Sequence, residues 1–239
     1  MGLLGSTPQA GPNCNWGSAD AMTGSVKLAV VTGGHSFDVP AFHELFRRME
    51  GIAAYIQSMD DFASSPKEIG QDYDAILFYI MLQEGPADEG LPWYAGKPLT
   101  ALSKLGEKKQ GLIVLHHALL AYPDWAVWDA LTGISDRGFE YHLDQTVRSD
   151  IVHRDHPITQ GLDSWVMVDE TYEMQKPGAD SEVLITCDHP KSMKTIAWTR
   201  EHRNARVFCY QGGHDDHAYS HRTFSEVLRR GIRWSTGRI

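Results

Sequence analysis

The stretch "GLIVLHHALLAYPDW", residues 111–125, decides how this chain is read. Leu112, Ile113, Val114 and Leu115 form a short apolar run with no polar residue on either face of a period-2 strand. Such a run marks a strand covered on both sides, as in a parallel sheet. It should close in a turn, yet it ends in His116 and His117 and then continues apolar. Two titratable rings at the tip of a buried strand are either well-bonded core histidines or part of a site. If the strand continues through them, their rings point to opposite faces, and at most one can face a given pocket.

Outward from that strand, the preceding chain follows one pattern. "VKLAVVTG" (26–33) is a near-continuous apolar run ended by glycine, and the loop "GGHSFD" follows. Phe42, Leu45, Phe46 and Met49 recur at helical spacing, with Pro40 in the first turn, where its missing N–H costs nothing. "GIAAYIQS" (51–58) reads as a second strand. "SPKE" (65–68) has capping-box spacing and opens a short helix. "YDAILFYIM" (73–81) is a third strand. Leu99, Leu102 and Leu105 mark a helix that Gly106 ends before residues 111–115. This β-α-β-α-β-α-β alternation implies a parallel sheet with helices on both faces and right-handed crossovers. The second half is less regular: "FEYHLDQTVRSDIVHRDHPITQGL" and "WVMVDETYEM" read as shorter strands and loops. "EVLITC", "KTIAWT" and "ARVFCYQGG" follow, and Phe224, Val227, Leu228 and Ile232 form a closing amphipathic helix. There is no solenoid repeat and no linker, so residues 26–239 read as one domain. Residues 1–25, rich in Gly, Ser, Pro and Asn, read as an extension that drapes over the domain or stays mobile.

Composition narrows the function classes. Of 239 residues, 42% are hydrophobic and 22% charged, ordinary values for a chain with a real core. The net charge of −9 comes with no basic run, so the chain repels phosphate backbones and nucleic acid is not an expected partner. No apolar run reaches the roughly 20 residues that span a bilayer. The N-terminus lacks a basic region and a long apolar core, so cytoplasm is the default compartment. Three cysteines (Cys14, Cys187, Cys209) without CxxC spacing argue against a disulfide framework and a thiolate zinc site. A homo-oligomer is compatible with the chain.

In a parallel sheet, ligands bind beyond the carboxyl ends of the strands. His35 and Asp38 follow the first strand, Gln83 and Glu84 the third, His116 and His117 the fourth. "QGGHDDH", with His214, Asp215, Asp216 and His217, follows the last. Four separate segments thus bring histidine or carboxylate to one edge, which points to a site. Taken singly, each "GGH" reads as a plain turn, and Glu170 in "VDETY" reads as a strand-end charge. Gly34 and Gly213 permit close backbone approach to a ligand. With neither G-x-G-x-x-G nor a Walker pattern, a nucleotide is not expected. "HPITQGL" has a structural reading: Pro157 fixes a turn, Thr159 bonds the backbone and Gly161 supplies a special backbone angle. His43, His153, His189, His202 and His221 read as surface or helix-face residues. Trp93, Trp125 and Trp128 lie near the strand ends, where packing is one role and an aromatic wall for a sugar ring another.

"GLIVLHHA", "HPITQGL", "VDETYEM", "TIAWT" and "ARVFCYQGGHDDHAYSHRTFSEVLRRGIRW" together resemble the trehalose-utilisation (ThuA-like) family over residues 26–234. The order "HPITxGL", "DExY", "GRVFYxxxGH" carries the resemblance; Ala205 stands where the family usually has glycine. The resemblance implies the fold of class I glutamine amidotransferases, a flavodoxin-like three-layer α/β/α sandwich with a mostly parallel central sheet. In those enzymes the strand-to-helix elbow carries a cysteine nucleophile. Here "VLHHALL" occupies that region, and histidine cannot form a glutamyl thioester, so amidotransferase activity is not expected. The family's association with trehalose and related disaccharides implies a small-molecule sugar substrate, with an oxidised (3-keto) glycoside as one form.

These readings give an enzyme acting on a disaccharide or 3-keto-glycoside. His116, His117, Glu170 and His214 are the candidate catalytic residues. His35, Gly34, Gln83, Glu84, Trp125, Gly213 and Asp215 are candidates for substrate binding. Histidine suits removal of a proton beside a carbonyl, and a divalent metal such as zinc, held by His35, His116 and His214, suits polarising it. A sugar-binding or regulatory protein without turnover is the rival reading. A hydrolase with a serine or aspartate nucleophile ranks below both, since no G-x-S-x-G occurs.

Overall fold

A computed structural model of the protein describes residues 24–65 and 72–239. The capping-box helix and nearly all of the N-terminal extension fall outside the described residues. The chain forms β1 (Val26–Gly33), α1 (Val39–Arg47), β2 (Ile52–Ser58), α2 (Met59–Ala63), β3 (Ala75–Ile80), α3 (Pro98–Ser103) and β4 (Gly111–Leu115). A 3-10 turn (His116–Leu120) leads to α4 (Ala126–Thr132). The chain then forms β5 (Phe139–Ile151), β6 (Trp165–Met174), β7 (Glu182–Cys187), β8 (Thr195–His202) and β9 (Ala205–Tyr210), and closes with α5 (Asp216–Tyr219) and α6 (Arg222–Ser235).

The strands make one sheet in the order β2-β1-β3-β4-β9-β8-β7-β5-β6. It is the central layer of a three-layer α/β sandwich of flavodoxin-like type. Strands β2, β1, β3, β4 and β9 pair parallel, as the alternating first half predicts. From β9 onward every pairing is antiparallel, so the sheet as a whole is mixed. The reason is local: no crossover helix separates β5 to β9, and without one consecutive strands return antiparallel.

Burial explains the parallel half. All of β3 and β4 is buried, which is why neither shows polar alternation. Helix α1 is capped by Asp38, whose Oδ1 accepts from the Ala41 amide at 3.0 Å, and it buries Phe42, Leu45 and Phe46. Helix α6 buries Phe224, Val227, Leu228 and Ile232, the stripe its spacing predicts.

The second half departs from its reading as short strands and loops. Strands β5 and β6 have 13 and 10 residues and pair as a long antiparallel arm. Glu140, Tyr141, Leu143 and Asp144 are exposed, so no hydrophobic period announces the strand. A register shift between His142 and Gln145 brackets Asp144 at φ 56°, the geometry of a bulge. His202, expected at the surface, is buried at the end of β8.

Five ladder steps separate β4 from β6. In a flat sheet that would be about 24 Å at roughly 4.8 Å per step. Yet side chains on β6 touch those following β4, so the antiparallel half curls back over the carboxyl edge of the parallel half.

Candidate metal centre and histidine cluster

The site begins with a backbone change at residue 116. Leu115 is extended, at φ −109° and ψ 129°, while His116 adopts φ 55°, an unusual angle for a residue with a side chain. The strand therefore stops at Leu115 and does not continue through the histidines. Instead of pointing to opposite faces, both rings enter one cluster, with centroids 5.3 Å apart. A left-handed residue at a strand-to-helix junction is the backbone of a nucleophile elbow, here carrying an imidazole. Cys187 and Cys209 are both buried within strands, and burial pushes the Cys209 thiol far above its usual range.

His116 is fully buried. Its Nδ1 lies 2.7 Å from the Gln211 carbonyl, which can only accept, so Nδ1 carries the proton and donates. In the neutral ring this leaves Nε2 with a lone pair. Nε2 is 3.1 Å from Glu170 Oε2 and 3.2 Å from His214 Nδ1, and those two atoms are 3.2 Å apart. Three ligand-type atoms thus form a near-equilateral triangle. Ligands sharing one first-row divalent ion at about 2.1 Å lie roughly 3.0–3.4 Å apart, so the spacing fits a common cation. The Tyr172 hydroxyl lies 2.7 Å from Glu170 Oε2, to which it donates, and 2.8 Å from His116 Nε2.

Asp169 fixes the triangle. It is buried, and its Oδ2 accepts from the Gly213 amide at 2.8 Å. Its Oδ1 accepts from the His214 amide at 3.0 Å and the Glu170 amide at 2.9 Å. One carboxylate therefore joins the strand that carries Glu170 to the loop that carries His214. Glycine at 213, with φ 117°, brings that loop against Phe224, whose ring a Cβ would meet at 3.0 Å. Gly34 is equally constrained: at φ 75°, a Cβ would meet the Met81 carbonyl oxygen at 2.4 Å. Tyr79, at the end of β3, donates to the Gly213 carbonyl at 2.8 Å and stands 2.6 Å from the Tyr219 hydroxyl.

Electrostatics follow from this packing. Burial pushes Glu170 up, but the His116 and His214 rings, which stabilise the carboxylate when they carry a proton toward it, outweigh burial and hold the carboxyl well below its usual range. His214 is raised, chiefly by its bond to Glu170. Burial drives the Tyr172 hydroxyl up, with the Glu170 charge adding to it, so it stays protonated and can donate. His117 is pushed down to about 2 by burial and by the neighbouring His116 and His35. The Tyr79 backbone opposes that shift slightly but gives neither ring nitrogen a well-aligned hydrogen bond.

Of the residues expected from the sequence, His35, His116, His117, Glu170 and His214 are brought together. His35 packs 4.7 Å from His117 and 6.1 Å from His214, ring to ring. The close metal-type group consists of His116, Glu170 and His214, so Glu170 takes the place expected for His35, which stands beside the group. Asp215 instead caps α5, accepting from the His217 amide at 3.0 Å. Trp125 stacks in an aromatic group with Tyr122 and Trp128. Trp128 is buried, with Nε1 bonded to the Ala118 carbonyl, and Trp93 is 94% exposed, so these three form no common wall. Gln83 and Glu84 are exposed on the loop after β3, and the Gln83 side chain reaches the Leu120 carbonyl at 3.5 Å. His156 is structural, as read: its carbonyl accepts from the Thr159 and Gln160 amides.

Sequence reading did not single out Asp169, Tyr172, Tyr79 or Gln211. Two of them left a signal: Tyr172 is two residues after Glu170 and shares its strand face, and Asp169 adjoins Glu170 in "VDETY". A separate cleft of about 900 Å³ opens at the amino ends of the parallel strands, lined by Lys27, Asp74, Arg206 and Arg238 among others. No residue of the histidine cluster lines it.

Comparison with known proteins adds the family. Residues 37–235 match the model of ThuA, described as trehalose utilisation. The chain belongs to the ThuA family. No curated protein sequence matches it. Among solved structures it is similar to a putative ThuA-like protein from Parabacteroides merdae, at 17% identity and a TM-score of 0.65 over 89% of this chain and 90% of that one. A cytoplasmic protein from Salmonella typhimurium aligns at 12% identity and 0.62, over 88% and 99%. PurLQS from Thermotoga maritima aligns at 12% and 0.54, again over 88% and 99%. At these identities the likenesses show the fold alone. ThuA membership ties the chain to carbohydrate-related enzyme chemistry, and its His/Glu cluster could coordinate a divalent metal. Among the described residues no helix is long and apolar enough to cross a membrane.

Proposed function

We propose that the protein is a divalent-metal enzyme acting on an oxidised (3-keto) disaccharide or glycoside. His116 Nε2, Glu170 Oε2 and His214 Nδ1 would hold the metal. One observation supports this most: with His116 Nδ1 committed to the Gln211 carbonyl, the neutral ring turns its Nε2 lone pair toward Glu170 Oε2 and His214 Nδ1, and the three ligand-type atoms lie within 3.2 Å of one another. When His214 carries its proton on Nε2, all three are electron-pair donors, an arrangement that a shared cation stabilises. A bound divalent cation supplies Lewis-acid polarisation of a substrate carbonyl.

The protein's own groups would do the rest. His35 donates its Nδ1 proton to the Ser36 carbonyl, leaving Nε2 as a base at the exposed edge of the cluster. There it takes the proton from the carbon beside the carbonyl. The C–H electron pair becomes a C=C bond, the glycosidic C–O bond one carbon further on breaks, and the leaving oxygen departs as an alcohol by taking up a proton. Glu170 is kept ionised by His116 and His214 and oriented by Tyr172. Amidotransferase chemistry has no place in this reading, because the elbow carries imidazole and no thiolate.

A second reading has one specific support: Glu170 raises the affinity of His214 for a proton, so a proton could supply the central positive charge. The test is to incubate purified protein with a 3-keto-disaccharide, with Zn²⁺ or Mn²⁺ and with chelator, following release of the free sugar. Turnover lost with chelator and restored by metal is expected. Turnover indifferent to chelator, with no metal binding by calorimetry, would replace the metal reading with the proton one.

A further inference from the structure

His117 is 1% exposed, and neither of its ring nitrogens meets hydrogen-bond geometry with a partner among the described residues, the Tyr79 backbone coming near without a well-aligned bond. A buried polar group left unpaired is costly, so a folded protein that keeps one invites a partner from outside. The ring's surroundings are specific. Tyr79 packs against it at 4.2 Å, His35 at 4.7 Å and His116 at 5.3 Å, centroid to centroid. His35 is the exposed one of these three, so a ligand approaching His117 meets the His35 ring first. Beside it, the His35 Nε2 also lacks a partner among the described residues, its Nδ1 being taken by Ser36.

The chemistry of the ring selects the ligand. A neutral imidazole offers one donor and one acceptor. A hydroxyl matches that pair, whereas a carboxylate or phosphate seeks donors only. The His116 and His117 rings are 5.3 Å apart, centroid to centroid, so a hydroxyl that reaches His117 lies near a carbonyl at the metal position.

We infer that His117, with His35 beside it, forms a hydroxyl-binding subsite next to the metal position, so that the site takes α-hydroxyketones, the hydroxyl lying on the carbon adjacent to the carbonyl. The inference rests on the metal-centre reading above and adds to it the group that selects the substrate. His117 is not one of the three residues in the metal-type group.

The test uses the full chain loaded with Mn²⁺ and two small probes, hydroxyacetone and acetone. Ligand-observed NMR, with broadening by the bound Mn²⁺, reads probe affinity, and calorimetry reads Mn²⁺ affinity. Wild type should bind hydroxyacetone about tenfold more tightly than acetone, the worth of roughly one hydrogen bond. His117→Phe should bring the two probes to near equality while leaving Mn²⁺ affinity within about threefold, which is small on the scale of one hydrogen bond. His35→Ala, at an exposed position where the fold is not at risk, should lose part of the preference and covers the case of a poorly folded His117→Phe. If both variants keep the wild-type preference, or wild type shows none, the hydroxyl subsite is wrong and the metal centre stands. If wild type binds no Mn²⁺ at all, the metal reading fails and this inference with it.

Discussion

At the scale of single residues, Asp169 holds the site together although it never faces a ligand. Its two oxygens accept from three backbone amides on two segments more than forty residues apart. Asparagine would place an NH₂ against at least one amide donor and remove the charge that strengthens the rest. Asp169→Asn should therefore lower stability by about 1–3 kcal/mol. It should also weaken metal binding, since His214 and Glu170 lose their shared tether. Urea denaturation and calorimetry check the two effects, and a variant with wild-type values for both would remove Asp169 from this role. His214 carries a second residue-scale expectation. Its affinity for a proton is raised by Glu170, so protons compete for Nδ1 at higher pH than they would for an isolated histidine. Metal affinity should rise as pH increases through and beyond about 6.5, the ordinary histidine value. A pH-independent affinity between 5.5 and 8 would contradict it.

At the scale of elements, the strand at residues 111–115 and the closing helix answer to different forces. Ile113 is fully buried in β4, packed between β3 and β9. Ile113→Ala should cost about 2–5 kcal/mol through lost burial and the cavity left behind, read as a lower denaturant midpoint. Helix α6 gains a smaller, pH-dependent contribution from Glu226, which bonds Arg229 and Arg230 at 2.6–2.9 Å. The Arg229 bond first, and Arg230 after it, outweigh partial burial and pull Glu226 down to about 2. A depressed carboxylate stabilises the fold above its unfolded value of about 4.3, and that contribution is lost as pH falls through about 2. The pair is partly solvated, so Glu226→Gln should cost less than about 1 kcal/mol at pH 7, a cost that shrinks as pH falls toward about 2 and vanishes below it. Thermal melts of both proteins across that range check the sign.

At the scale of the whole molecule, the candidate ligands come from three places: the end of β4, the middle of β6 and the loop after β9. No one of these segments holds the triangle, so a metal that binds it binds the folded state alone. Mn²⁺ or Zn²⁺ at a hundred times its Kd should raise stability by about 2.7 kcal/mol. Glu170→Gln should abolish most of that gain while leaving the metal-free fold intact. Unfolding curves that ignore metal in wild type would argue against a preformed centre.

The parallel half of this fold was legible because its determinants are local. Continuous burial of β3 and β4, the Asp38 cap of α1 and the apolar stripe of α6 each write a period or a cap into neighbouring residues. The convergence of His35, His116 and His214 was legible too, since strand ends in a parallel sheet share an edge. Two things were decided only by the tertiary structure. One is the left-handed turn at His116, which a non-glycine residue adopts only when packing holds it there, and which places both histidines in one cluster. The other is the curl of the antiparallel arm, which carries Glu170, Asp169 and Tyr172 across five ladder steps to that cluster. The exposed outer residues of β5 leave no hydrophobic period to announce the arm, and its register is set by backbone pairing to β6. Sequence thus determined which residues could form the site's edge. Three-dimensional packing decided that a carboxylate from the far end of the sheet completes it.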